Sequence, residues 1–91
     1  MDITDIKVQK RDKTFEPFDP QKIIFVVKGC GLTEEDAIKL ANMVTGWLED
    51  SHVTEVTTLQ IRDRILVEIQ KMDKLAAKKY IWYEKYKDKN Y

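Results

Sequence analysis

Cysteine, histidine, proline and glycine are all scarce in this chain: one Cys, one His, two Pro and three Gly among 91 residues. A lone Cys30 excludes an internal disulfide and every multi-cysteine zinc pattern, and reads as a small apolar core residue. A lone His52, in "DSHVT", reads as a solvated loop residue after a helix and leaves no histidine pair for acid–base or metal chemistry. There is no HExxH, no GxSxG and no Walker-type glycine–lysine loop. The "GCG" at 29–31 lacks the third glycine and the preceding strand of a dinucleotide fingerprint, and reads as helix punctuation. Catalysis is therefore not expected. Net charge is missing too: sixteen basic and sixteen acidic residues cancel at pH 7. That removes bulk attraction to nucleic acid or to an anionic membrane. The longest uninterrupted apolar run, Ile23 to Val27, falls far short of a bilayer span, and "MDITD" lacks the positive start of a signal peptide. A cytoplasmic location is expected.

What is present is a densely charged chain, 35% Asp, Glu, Lys and Arg against 43% hydrophobic residues. The length allows a single domain over residues 1–91 with one modest core, and no repeat, low-complexity tract or internal linker divides it. "IKVQK" alternates as a half-buried strand, "RDKT" is a polar turn, and "FEPF" is a second short extended piece. Pro17 denies it a backbone donor and so confines it to an edge. Asp19 followed by Pro20 is a helix start, with the carboxylate as N-cap and the proline at a position that needs no N–H. The run "KIIFVVKGCG" has the propensity of a buried strand. The Asp-Pro start tips the reading to a short buried helix ended by Gly29 and Gly31.

The next helix is plainer. Thr33 caps it, Glu34, Glu35 and Asp36 complement its positive end, and Ala37, Leu40, Ala41, Val44 and Leu48 share one face. "HVTEV" reads as a link. Thr57 with Gln60 three residues on makes a capping box for a third helix, whose core stripe is Ile61, Ile65, Ile69 and Met72. Asp73 opens a fourth helix with Leu75, Ala76, Tyr80, Trp82 and Tyr83 inward or at its edge. Its lysine-rich end should fray. The fold class is thus α+β: a small N-terminal β-hairpin lid packed on a four-helix bundle, burying Val8, Phe15 and Phe18. Tyr80, Trp82, Tyr83, Tyr86 and Tyr91 interleave with lysines, a pattern that also suits stacking on single-stranded nucleic acid. Core packing is the preferred reading for Tyr80 and Tyr83. For an exposed Trp82 or Tyr86 a protein partner is preferred over nucleic acid, because the chain has no net positive charge.

The segment from Lys7 to Ile23 gathers Lys10, Arg11, Glu16, Asp19 and Lys22 where the hairpin hands over to the first helix. A solvated face would explain them, and so would a phosphate cradle. "VQKRD", then "EPFDPQKI", then "VTTLQIRDRI", then an Ala-rich entry to "YIWY", taken in this order over about residues 5–88, resemble the ATP-cone domain. That is the small nucleotide-sensing module at the N-terminus of many ribonucleotide reductases and in their transcriptional repressor.

The resemblance implies a non-catalytic regulatory module with ATP or dATP as effector beneath the hairpin lid, with Mg2+ as a candidate companion. Carried over by position, Val8 borders the adenine, and Lys10 and Arg11 face the phosphates. Glu16, Phe18 and Asp19 shape the base and sugar end. Lys22 approaches the phosphates and Ile23 packs near the base. Thr58 and Arg62 match the start of the third helix, and Lys85 or Lys87 supplies a last phosphate contact. Convergent cations from separate elements, near free amides at a helix start, suit a triphosphate. Asp19 serves equally well as a helix cap.

Two positions depart from the family pattern. Lys13 stands where a glycine is common, so a longer or differently bent turn is expected. Glu84 stands where an arginine is frequent, which takes a phosphate partner from the tail. No zinc-ribbon cysteines precede the domain and no reductase domain follows, so a free-standing or excised cone is expected. Its implied partners are a ribonucleotide reductase-type enzyme or another copy of itself, through a helical face with Trp47 and Trp82 as candidates. The rival readings are a cone-fold protein-interaction module that no longer binds nucleotide and a small nucleic-acid binder.

Overall fold

The computed structural model describes residues 5–89, with side chains described as far as Tyr86. Lys87 therefore has a place on a helix but no described side chain, and Tyr91 and the expected fraying beyond residue 89 lie outside the described residues. The chain runs β1 (Lys7–Gln9), β2 (Phe15–Pro17), α1 (Pro20–Gly29), α2 (Glu34–Asp50), β3 (Glu55–Thr57), α3 (Thr58–Met72) and α4 (Lys74–Lys89). This is the α+β arrangement of a small sheet and four helices.

The hairpin pairs Val8 with Glu16 in antiparallel register, and β2 is an edge strand as Pro17 requires. Its turn is closed by the Lys10 N–H to Thr14 carbonyl bond at 2.8 Å, and Asp12 accepts from the Thr14 N–H and hydroxyl at 3.1 and 2.6 Å. Lys13 sits at φ 73°, a conformation glycine adopts freely and lysine does not.

The segment read as a link instead adds β3, which pairs parallel to β1 with Val8 opposite Val56. Three residues give too short an alternation to announce a strand, and the partner lies dozens of residues upstream. Its pairing is decided in space. β3 runs straight into the Thr57–Gln60 capping box, which is present as the sequence predicts.

The helix reading of Pro20–Gly29 holds. The Asp19 side chain accepts from the Gln21 N–H at 2.9 Å. Burial follows helical spacing, since Ile23 and Val27 are buried while Phe25 between them is 81% exposed. The run is thus half-buried, not wholly buried as expected. The helix closes with the Gly31 N–H on the Lys28 carbonyl and the Leu32 N–H on that of Val27. Gly31, at φ 115°, supplies the left-handed residue this closing motif needs.

All five residues assigned to the inner face of α2 are buried, and α2 packs between α1 and α3. Ile6, Val8, Phe18 and Val56 carry the sheet onto this core. Phe15, expected inside, is half-exposed because it faces away from the helices at the edge strand. Leu75 and Trp82 also lie outside, since α4 packs on α3 along one narrow stripe of Ala76, Ala77 and Tyr80. Trp47 is half-buried with the Arg64 guanidinium 5.6 Å from its ring centroid, and Arg64 bonds the buried Glu68 at 3.1 Å. No helix among the described residues is long and apolar enough to cross a membrane.

Candidate functional site

The hairpin, the first turns of α1 and α3 and the middle of α4 enclose a cleft of about 680 Å³. Its position follows from local rules. Asp19 starts α1 and the Thr57–Gln60 box starts α3 close to the sheet, so both positive helix ends border the same space. Lys10 and Arg11 enter from the hairpin turn, and Glu16 from β2. The apolar side is Val8, Phe18, Ile23 and Ile65, all buried, with Phe25 exposed at the rim.

Of the twelve residues singled out in the sequence, the fold brings ten to this cleft: Val8, Lys10, Arg11, Glu16, Phe18, Asp19, Lys22, Ile23, Thr58 and Arg62. Lys85 does not line it and projects into solvent, one position past Glu84 on the helix. The Lys87 side chain is outside the described residues. The sequence reading missed Phe25, Ile61, Ile65, Tyr80, Tyr83 and Glu84 as lining residues. A signal for the last three was available. Positions 80, 83 and 84 share one helical face, and that face had to meet either the core or the cleft.

The charged groups form two clusters. In the outer one, Glu16 accepts from the Lys22 ammonium at 2.9 Å and has that of Lys10 at 4.0 Å. In the inner one, the Arg11 guanidinium donates to Glu84 at 3.3 Å, with side chains only 18% and 13% exposed. Arg62 reaches its neighbour Asp63 at 3.4 Å. Asp19 caps its helix and also lines the cleft, so the capping role is in place without withdrawing the residue from the site.

The buried Tyr80 hydroxyl lies beside the Glu84 carboxylate, one turn later on α4. Burial, reinforced by the carboxylate, raises its pKa well above the ordinary tyrosine range. It is a donor that keeps its proton. Tyr83 and Cys30 are pushed up chiefly by burial as well, so Cys30 is an inert thiol of the core. Among the described residues no group of three or more His, Cys, Asp or Glu side chains is placed to hold a metal ion.

The cleft combines an apolar wall, capped helix starts and four cations drawn from the hairpin, α1 and α3, three of which face carboxylates. The profile of the ATP cone domain matches this chain over residues 6–89. The chain belongs to the ATP-cone family. The ATP-cone is a nucleotide-binding regulatory domain, not a catalytic one. The chain is also similar to a transcriptional repressor, NrdR, of Protochlamydia amoebophila (strain UWE25), at 27% identity over 88 residues. That match takes in 91% of this chain and 54% of the repressor, so the chain spans about half the length of that curated relative.

Proposed function

We propose that this cone binds ATP or dATP in the cleft beneath its hairpin and passes the occupancy on, in the cytoplasm, to a ribonucleotide reductase-type enzyme or to another copy of itself. The observation that carries the reading is the convergence of ten predicted residues, from both arms of the hairpin, the β2–α1 connection, α1 and α3, on one cavity. Val8, Phe18 and Ile23 offer the apolar wall for the base. Glu16 is near enough to the opening to accept from an exocyclic amine or a sugar hydroxyl once Lys22 and Lys10 turn to phosphate. Lys10, Arg11, Lys22 and Arg62 supply the positive field, and Thr58 adds a hydroxyl at the start of α3. Mg2+ would arrive on the triphosphate, with the phosphate oxygens as its main ligands.

A second reading is favoured by the pairing of the cations. Lys10, Lys22 and Arg11 all face carboxylates of the protein, and the cleft sets three acids, Glu16, Asp19 and Glu84, against four bases. A cone that had given up nucleotide and become a protein-interaction module would hold its bases in this way.

Calorimetric titration with ATP, dATP and GTP, repeated on Lys10→Ala and Lys22→Ala, separates the two. Adenine-selective binding at micromolar levels or tighter, lost in both variants, is the expected result. Silence with every nucleotide would leave the interaction module standing. Binding that depends on the lysine-rich tail and falls steeply with salt would point to nucleic acid instead.

A further inference from the structure

Arg11 and Glu84 are 73 residues apart in sequence, on the hairpin turn and on the second half of α4, yet they meet at 3.3 Å with both side chains largely out of solvent. By contrast Lys22 and Glu16 are six residues apart, and Arg62 and Asp63 are neighbours. The Arg11–Glu84 bond therefore joins the hairpin turn to the second half of α4. Glu84 also lies beside the hydroxyl of the buried Tyr80, one turn earlier on the same helix, so the carboxylate that meets the hairpin sits at the edge of the core. Apolar attachment is thin there: among the described residues of α4 the buried side chains are Ala76, Ala77 and Tyr80, whereas Trp82 and Tyr86 are 76% and 69% exposed.

We infer that the Arg11–Glu84 pair is a latch that a polyphosphate tail releases, making Glu84 the residue that both limits affinity for the tail and reports its arrival to the end of α4. The inference rests on the nucleotide reading above. The guanidinium fork matches a phosphate as well as it matches a carboxylate, and a tail carrying several negative charges competes for it directly. Once Arg11 turns to the phosphates, Glu84 is left facing like charge at short range in a partly desolvated site, where repulsion is strong. The same exchange thus closes the hairpin on the ligand and loosens the second half of α4. Its aromatic outer face, Trp82 and Tyr86, then differs between the two states, which is the differential contact that any coupling requires.

The test uses the whole chain as wild type, Glu84→Gln, Arg11→Gln and the double variant, each checked for helical content. Calorimetry is run with ATP and with inorganic tripolyphosphate, and amide exchange is followed over residues 81–86. Glu84→Gln is expected to bind both ligands more tightly, on the order of fivefold, and the gain is expected to vanish in the Arg11→Gln background. ATP is expected to speed exchange over 81–86 in the wild type, and Glu84→Gln to show fast exchange there without ligand. Equal or weaker binding by Glu84→Gln overturns the latch and leaves the nucleotide reading intact. A gain that persists without Arg11 also overturns it, because Glu84 would then act only as a distant negative charge. If neither wild type nor Glu84→Gln binds any nucleotide, the nucleotide reading fails and takes the latch with it.

Discussion

Helices α2 and α4 are nearly equal in length, seventeen and sixteen residues, and they are held by different physics. In α2, Ala37, Leu40, Ala41, Val44 and Leu48 are buried along the whole helix, and each is at most 1% exposed. Among the described residues of α4 the buried ones end at Tyr80, and the next turn is attached to the hairpin through the Arg11–Glu84 pair. An apolar seam is either packed or broken, and it does not answer to a small ligand. A charged attachment in a cleft can be exchanged for another charge. The helix with the weaker amphipathic pattern is thus the one placed to respond.

The contrast is easiest to break in the core. Leu40→Ala should cost about 2–5 kcal/mol, the range for a fully buried leucine, whereas Trp82→Ala on α4 should stay within about 0.5 kcal/mol. Urea unfolding of the two variants checks both, and a large loss from Trp82→Ala would mean that the end of α4 is packed after all. A smaller effect sharpens the polar side of the comparison. Tyr80→Phe keeps the ring and removes the hydroxyl beside Glu84, for an expected loss of about 1 kcal/mol, and no loss would show that this contact does not stabilise the fold.

The same hydroxyl gives a pH signature. Its folded-state pKa is raised by burial and by Glu84, so its contribution is complete below the ordinary tyrosine value and is lost as pH rises from there toward the folded value. Urea midpoints of the wild type should therefore fall between about pH 9.5 and about pH 11 more steeply than those of Tyr80→Phe. The smallest expected effect is at the lid. Lys13→Gly relieves the φ 73° strain and, after the added freedom of the unfolded chain, should stabilise by about 0.5 kcal/mol. A rise in the thermal midpoint would register it, and a fall would show that the lysine side chain is worth more than its backbone costs.

Much of this molecule was legible because its signals are local. Asp19 before Pro20, Thr33 before three acids, and Thr57 with Gln60 each fix a helix start within a single turn, and every one of them is found in place. That Lys10, Arg11, Glu16 and Lys22 come together at one cleft was legible through the ordered resemblance. The misses have a common cause. β3 needed a partner from the far end of the domain. Phe15 and Leu75 sit on faces whose burial depends on what lies opposite. Of the alternatives Lys85 and Lys87 for a last phosphate contact, helical rotation turns Lys85 away from the cleft and Glu84 inward.

The order of residues alone determined where each helix begins, which face of α2 is apolar, and that cations from distant segments are available for an anion. Caps, turns and periodicity act over a few bonds, so no knowledge of the whole is needed to read them. Tertiary structure decided that β3 pairs beside β1, that α4 meets the core through Ala76, Ala77 and Tyr80, and that Glu84 meets Arg11 in place of solvent. Those outcomes depend on which surfaces face each other across the fold, and that is set by the competition of all the elements for one small core.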